Sequence, residues 1–316
     1  MKLGEWALKA LGIVLMLAAM AFAVSKAPDR PLDSLTPRWA PPPSDFLDVD
    51  GLQVHYRDQG PARDPLPLLL IHGTSASLHT WEGWVADLAT TRRVISLDLP
   101  GFGLTGPNPD RDYSDARYVA FIRQFMSRLG LGRAILVGNS LGGEIAWQVA
   151  LAAPEHVAGL VLIDAAGFNF QPEHIPLGFR IARMPVLREG MRWVLPRRAV
   201  EQSVQDVYGD PTRVSAALVD RYYELTLREG NRRALLDRVD QLAPGPVERL
   251  PELHLPTLIL WGERDRLIPL RWGREFEHAI AGSQLVVFPG LGHVPHEEDP
   301  AATLAALRAW LPQVAH

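Results

Sequence analysis

The sequence predicts an α/β protein whose mostly parallel sheet is covered by helices on both faces. Short apolar runs of strand length recur along the chain, helical patterns separate them, and one long helical stretch interrupts the alternation late in the sequence. With 316 residues, 47% of them hydrophobic, the chain can bury one large core of this kind.

In chain order, the first element is a targeting segment over residues 1–25. Residues 10–25 carry no charge, are apolar all round and follow Lys2 and Lys9. Two fates fit. Trp6, Ala7 and Leu8 extend the run into a membrane anchor with Lys9 snorkelling to the interface, or the small-x-small pattern Ala21-Phe22-Ala23 is a signal-peptidase site cleaved after Ala23. The positive-inside rule then places the remainder beyond the inner membrane of a bacterial source, either membrane-anchored and periplasmic or released by cleavage. Residues 26–45 hold Pro28, Pro31, Pro37, Pro41, Pro42 and Pro43, and read as a stiff, extended linker without helix or ladder.

Residues 46–167 form the first part of the core. Phe46-Leu47-Asp48-Val49 and Leu52-Gln53-Val54-His55-Tyr56 flank Asp50-Gly51, a hairpin signal. Apolar runs follow at 68–71, 94–97, 134–137 and 160–163, continuous enough to be strands buried on both faces. Residues 168–250 then show helical patterns at 218–228 and 234–242, cut by Pro172, Pro176, Pro185, Pro196 and Pro211, and read as a helical cap. Phe168, Phe170, Phe179, Met184, Met191 and Trp193 are candidates to line a pocket beneath it. Two further apolar runs, 257–261 and 284–288, return the chain to the core over residues 251–316.

The chemistry-bearing residues fall just after these strands, at the carboxyl ends where open α/β sheets hold their sites. Gly138-Asn139-Ser140-Leu141-Gly142 joins the run ending at Val137 to a helical stretch, which puts Ser140 on a tight turn whose small neighbours permit a strained backbone. Asp265 follows the run ending at Trp261, in Gly262-Glu263-Arg264-Asp265, and His293 follows the run ending at Phe288, in Pro289-Gly290-Leu291-Gly292-His293. A serine hydroxyl needs a base to become a nucleophile, and a histidine base needs a carboxylate to fix its tautomer.

With His72-Gly73-Thr74, Asp98-Leu99-Pro100-Gly101-Phe102-Gly103 and His293-Val294-Pro295-His296-Glu297, these motifs resemble the α/β-hydrolase superfamily over most of residues 46–313, in the chain order Ser, Asp, His. The resemblance implies Ser140 as nucleophile, His293 as base and Asp265 as orienting acid. It also implies an oxyanion hole from the backbone N–H groups of Thr74 and Leu141, with His72 and Gly73 ordering that loop. Asp164, at the end of the 160–163 run, is a rival acid, because some members take the carboxylate from that position. Esters with small to medium apolar parts, with water as co-substrate, are the expected substrates. The resemblance leaves open cleavage of carbon–carbon bonds in ring-cleavage products and cofactor-free haloperoxidase chemistry. Against the carbon–carbon reading, His72-Gly73-Thr74-Ser75-Ala76 lacks the glycine-rich run of those enzymes. A membrane-tethered binding protein that keeps the fold without catalysis is the alternative from another class, although all three triad positions are filled.

Composition narrows the rest. A net charge of −4 and the absence of any basic tract argue against nucleic-acid binding. Zero cysteines exclude disulfides and thiol catalysis. No cofactor or metal is expected, since His293, His296 and Glu297 lack the helical His-Glu-x-x-His arrangement.

Overall fold

The computed structural model describes residues 25–169 and 173–314, together with 6, 8, 9, 11–13, 16, 20 and 23, and leaves aside the side chains of Phe179, Pro185 and Val186. Eight strands form one sheet: β1 (Ser44–Val49), β2 (Leu52–Gln59), β3 (Leu68–Ile71), β4 (Val94–Leu97), β5 (Ala134–Asn139), β6 (Val157–Ile163), β7 (Thr257–Gly262) and β8 (Gln284–Phe288). Their order is β1-β2-β4-β3-β5-β6-β7-β8. The β1–β2 and β2–β4 pairs are antiparallel and the others parallel. The Asp50-Gly51 signal is the β1–β2 turn, with both residues at positive φ, 53° and 84°.

Among the described residues these helices accompany the sheet: α1 (Leu32–Trp39), α2 (Glu82–Leu88), α3 (Asp115–Arg128), α4 (Leu141–Ala152), α5 (Leu177–Ala182), α6 (Pro185–Gly190), α7 (Arg197–Gln205), α8 (Ala216–Thr226), α9 (Asn231–Asp240), α10 (Arg271–Ala279), α11 (Pro295–Glu298) and α12 (Pro300–Trp310). Strand side chains alternate between two cores. From β3, Leu68 and Leu70 pack with Trp84 of α2 and Trp310 of α12, whereas Leu69 and Ile71 face Phe125 of α3, Ile145 of α4 and Phe276 of α10. Every β3 residue is buried, as its unbroken apolar run requires. Each such side chain contributes about 1.5–3 kcal/mol by leaving water. Helices α5 to α9 make up the expected helical insertion between β6 and β7.

One expectation fails. Residues 26–45 are not an extended spacer, because α1 lies within them. Pro37 sits inside that helix and has no N–H to offer the Asp33 carbonyl, but the Thr36 hydroxyl donates to that oxygen at 3.3 Å. Tertiary contacts hold the segment. Leu35 is fully buried with Leu104 and Leu225, the Trp39 indole N–H donates to Glu224, and the Arg30 N–H donates to the Leu227 carbonyl at 2.7 Å. The segment therefore straps the helical insertion to the core.

Most of residues 1–25, including Ala7, Ala21 and Phe22, for which a targeting role is expected, lies outside the described residues. Among the described residues, no helix is long and apolar enough to cross a membrane.

Candidate active site

Ser140 stands between β5 and α4 with φ 55° and ψ −117°, a conformation costly for any side chain and held by its surroundings. Its N–H donates to the Ile163 carbonyl at 3.0 Å, and its own carbonyl accepts from the Glu144 and Ala166 amides, both at 3.0 Å. Room for this turn comes from glycine. A Cβ on Gly138 would lie 2.1 Å from the Gly142 carbonyl oxygen, and one on Gly142 would lie 2.1 Å from that of Ile71. Gly142→Ala is expected to destabilise the protein by about 1–3 kcal/mol or more, measured as a lowered urea midpoint. An unchanged midpoint contradicts this packing of the turn.

His293 and Asp265 meet behind the turn. His293 Nδ1 lies 2.6 Å from Asp265 Oδ2, while Asp265 Oδ1 accepts from the Leu267 and Ile268 amides at 2.8 and 2.9 Å. Both side chains are buried, so the pair is shielded from water. The Asn139 amide ties the two loops together by donating to the carbonyls of Ile163 at 3.1 Å and His293 at 3.0 Å. The insertion grips the same loop, since the His293 N–H donates to the Val207 carbonyl at 2.7 Å. Ser140 and His293 line one cavity. Among the described residues no hydrogen bond joins their side chains; such bonds commonly tighten only with substrate bound.

The rival acid Asp164 is also close. Oxygens of Asp164 and Asp265 and a ring nitrogen of His293 lie within 4.8 Å of one another. Asp164 Oδ1 accepts from the Gly262 amide at 3.0 Å and does not engage the histidine. Complete burial and the neighbouring Asp265 carboxylate push the Asp164 carboxyl well above the usual range, so it is the neutral partner of the two acids. The three donors could in principle surround a cation, but His293 Nδ1 and Asp265 Oδ2 are already joined to each other.

The backbone N–H groups of Thr74 and Leu141 donate to no protein acceptor among the described residues, and both residues line the cavity. His72 is fully buried and accepts from the Leu99 amide at Nε2 (2.9 Å), which leaves the proton on Nδ1 to donate to the Gly73 carbonyl at 2.7 Å. Burial lowers its pKa and keeps it neutral, as a residue that orders a loop should be. His296 and Glu297 are engaged elsewhere. His296 stacks on Trp81 at 4.2 Å, and Glu297 pairs with Arg221 and accepts from the Tyr222 hydroxyl.

The cavity holds about 520 Å³, the size of a small to medium ligand, and is largely apolar. Phe168 and Met191 line it as expected, together with Ile181, Leu235 and Leu242. Met184 and Trp193 do not: they are 46% and 61% exposed, and the Trp193 carbonyl accepts from Ala27 in the strap. Phe170 and the Phe179 side chain lie outside the described residues.

Sequence reasoning missed Glu144. It stands four residues after Ser140, in the first turn of α4, and is the only charged residue in that helix. Its side chain is buried in the cavity wall, 3.8 Å from Arg238. Burial and the nearby Asp115 push its pKa from 4.5 up to about 8, against the opposing pull of Arg238. Below pH 4.5 the carboxyl is protonated in folded and unfolded chains alike. Between 4.5 and about 8 only the unfolded chain releases the proton, so this group makes stability fall as pH rises through that window. Relative to Glu144→Gln, which cannot titrate, the wild-type unfolding free energy should decline across that range by up to about 1.4 kcal/mol per pH unit. Urea titrations at several pH values measure this, and a pH-independent difference contradicts it.

Comparison with known proteins identifies the family. Residues 67–300 match the family model described as alpha/beta hydrolase fold. An uncharacterised protein of Mycobacterium tuberculosis is 34% identical over 279 residues, covering 83% of this chain and 79% of that protein. A 2-hydroxy-6-oxo-2,4-heptadienoate hydrolase of Pseudomonas putida is 30% identical over 258 residues, 77% of this chain and 87% of the relative. Among solved structures, a bacterial membrane phospholipase A is similar with a TM-score of 0.72 and 26% identity, covering 99% of this chain and 97% of that one.

Proposed function

We propose that this chain, which belongs to the α/β-hydrolase fold family, cleaves carboxylic esters through an acyl-enzyme formed on Ser140. One observation carries the reading: a serine on a strained turn and a buried histidine, itself paired with an aspartate, line the same apolar cavity. In the first step Ser140 Oγ attacks the ester carbonyl carbon and His293 Nε2 takes its proton. The oxyanion that forms accepts from the Thr74 and Leu141 amides, each such donor being worth about 3–4 kcal/mol in the transition state. The intermediate collapses as His293 returns the proton to the departing alcohol. Water, deprotonated by the same imidazole, then attacks the acyl-enzyme, and the acid leaves with Ser140 restored. Asp265 accepts from Nδ1 and so holds the imidazole with its proton on that nitrogen.

A 520 Å³ apolar cavity supports acyl or alcohol parts of small to medium size. p-Nitrophenyl esters of graded chain length test this: turnover should peak at short or medium chains, and no turnover of any ester counts against the reading. A second reading, carbon–carbon bond hydrolysis on the same serine, draws support from the 30% identical Pseudomonas putida relative. It predicts turnover of a 2-hydroxy-6-oxo-dienoate in preference to every ester. We further propose that residues 1–25 tether the enzyme to a membrane. Exposed Trp6, Leu8, Leu11, Ile13, Met16 and Met20 support this, as does the likeness along nearly the whole chain to a membrane phospholipase. Carbonate extraction of membranes should leave the protein in the pellet, and release into the supernatant contradicts the tether.

A further inference from the structure

The largely apolar cavity wall carries two buried charged side chains from facing helices. Helix α4 presents Glu144 and α9 presents Arg238, with relative exposures of 5% and 2%. Arg238 is already engaged: it lies 2.8 Å from Asp115, donates to the Tyr113 carbonyl at 3.0 Å, and its guanidinium sits 5.8 Å from the centre of the Tyr118 ring. Glu144 is not. Among the described residues its carboxyl makes no hydrogen bond; it faces the Arg238 guanidinium at 3.8 Å, with Asp115 nearby. Neither of its oxygens is among the fully enclosed polar atoms that lack a partner, so they are reached from the cavity.

The surroundings keep that carboxyl open to the cavity. Gly245 passes beside it, and a Cβ there would come within 3.1 Å of Glu144 Oε1 and 2.7 Å of the Trp147 ring. Ser140 caps α4 and Glu144 lies in the first turn of that helix, and both line the cavity.

We infer that Glu144 sets substrate specificity: its carboxyl binds a neutral oxygen function, a hydroxyl or a carbonyl, on the part of the substrate that extends from the scissile ester carbonyl toward α9. The inference rests on the serine-hydrolase reading for the position of that carbonyl. Charge selects the neutral class. Beside Glu144, Asp115 offsets Arg238, which leaves no net positive charge there to hold an anion, and the guanidinium 3.8 Å from Glu144 repels a cation. The raised pKa adds that the carboxyl is mostly protonated at pH 7, so it can donate as well as accept. The flanking Phe168, Leu235 and Leu242 take the methylene chain between the two polar ends.

The test compares p-nitrophenyl 6-hydroxyhexanoate with p-nitrophenyl hexanoate in wild type, Glu144→Leu and Glu144→Gln. Wild type should favour the hydroxylated ester about tenfold in kcat/KM, chiefly through KM, as one net hydrogen bond allows. Glu144→Leu should abolish that ratio, and Glu144→Gln, which still donates and accepts, should keep most of it. A ratio near one in wild type, a ratio unchanged in Glu144→Leu, or stronger preference for the carboxylate of the adipate half-ester overturns the proposal. Calorimetry separates it from the catalytic reading. Ser140→Ala should bind 6-hydroxyhexanoic acid about tenfold tighter than hexanoic acid, and Ser140→Ala/Glu144→Leu should not. If no ester turns over, the serine-hydrolase reading fails while this binding comparison still decides the role of Glu144.

Discussion

Ser140→Ala is expected to lower kcat for a p-nitrophenyl ester by about 10⁶-fold while the folded structure and its urea midpoint are retained. The size follows from the mechanism. Without Oγ there is no covalent route, and the histidine–aspartate pair has no nucleophile to activate. What survives is whatever the oxyanion donors and the cavity provide to direct attack by water, on the order of 10³–10⁴ over the uncatalysed rate. Stability should survive because the turn is fixed by backbone bonds, from the Ser140 N–H to Ile163 and from the Glu144 and Ala166 amides to Ser140, none of which involves the hydroxyl. Alanine meets the same positive φ that serine already tolerates. Stopped-flow and steady-state assays on purified protein read the effect, and a loss smaller than about tenfold would place the nucleophile elsewhere.

The second large effect separates two adjacent acids. Asp265→Asn should reduce kcat by about 10⁴-fold, because an amide facing His293 Nδ1 at 2.6 Å presents the wrong hydrogen-bonding partner and stabilises the wrong tautomer. Asp164→Asn should reduce it by less than about tenfold. Asp164 is held neutral by burial and by Asp265, and asparagine is nearly isosteric with a protonated aspartic acid. The Gly262 N–H that Asp164 Oδ1 accepts can be met by the asparagine carbonyl oxygen. The reverse ranking of the two variants would make Asp164 the orienting acid.

Much of this was legible in the sequence because the relevant signals are local. Strand runs are unbroken where both faces are buried, as in Leu68–Ile71, and Asp50-Gly51 reports a hairpin whatever surrounds it. The serine turn announces itself through the glycines whose missing side chains it requires. Where tertiary contacts decide, sequence reasoning fell short. Six prolines between 26 and 45 concealed α1, which exists because Leu35 has a buried niche and Thr36 supplies the hydrogen bond that Pro37 cannot. Met184 and Trp193 looked like pocket residues because hydrophobicity carries no direction, and the backbone turns both outward. Glu144 was the readable signal that went unread. A lone charge in the otherwise uncharged helix Leu141–Ala152, four residues after the candidate nucleophile, already marks a buried carboxyl near the reaction centre. Its isolation from hydrogen-bonding partners, by contrast, is visible only once α9 and the loop at Gly245 are in place.

The central claim, that His293 and Asp265 activate Ser140 for covalent catalysis, is tested most directly by treating the folded protein with a fluorophosphonate and mapping the adduct by peptide mass spectrometry. A single phosphonyl adduct on Ser140, formed at least 10²-fold more slowly in His293→Ala, is the predicted result, in line with the contribution of a general base. Folded protein that gains no adduct, or gains it on another residue, contradicts the account.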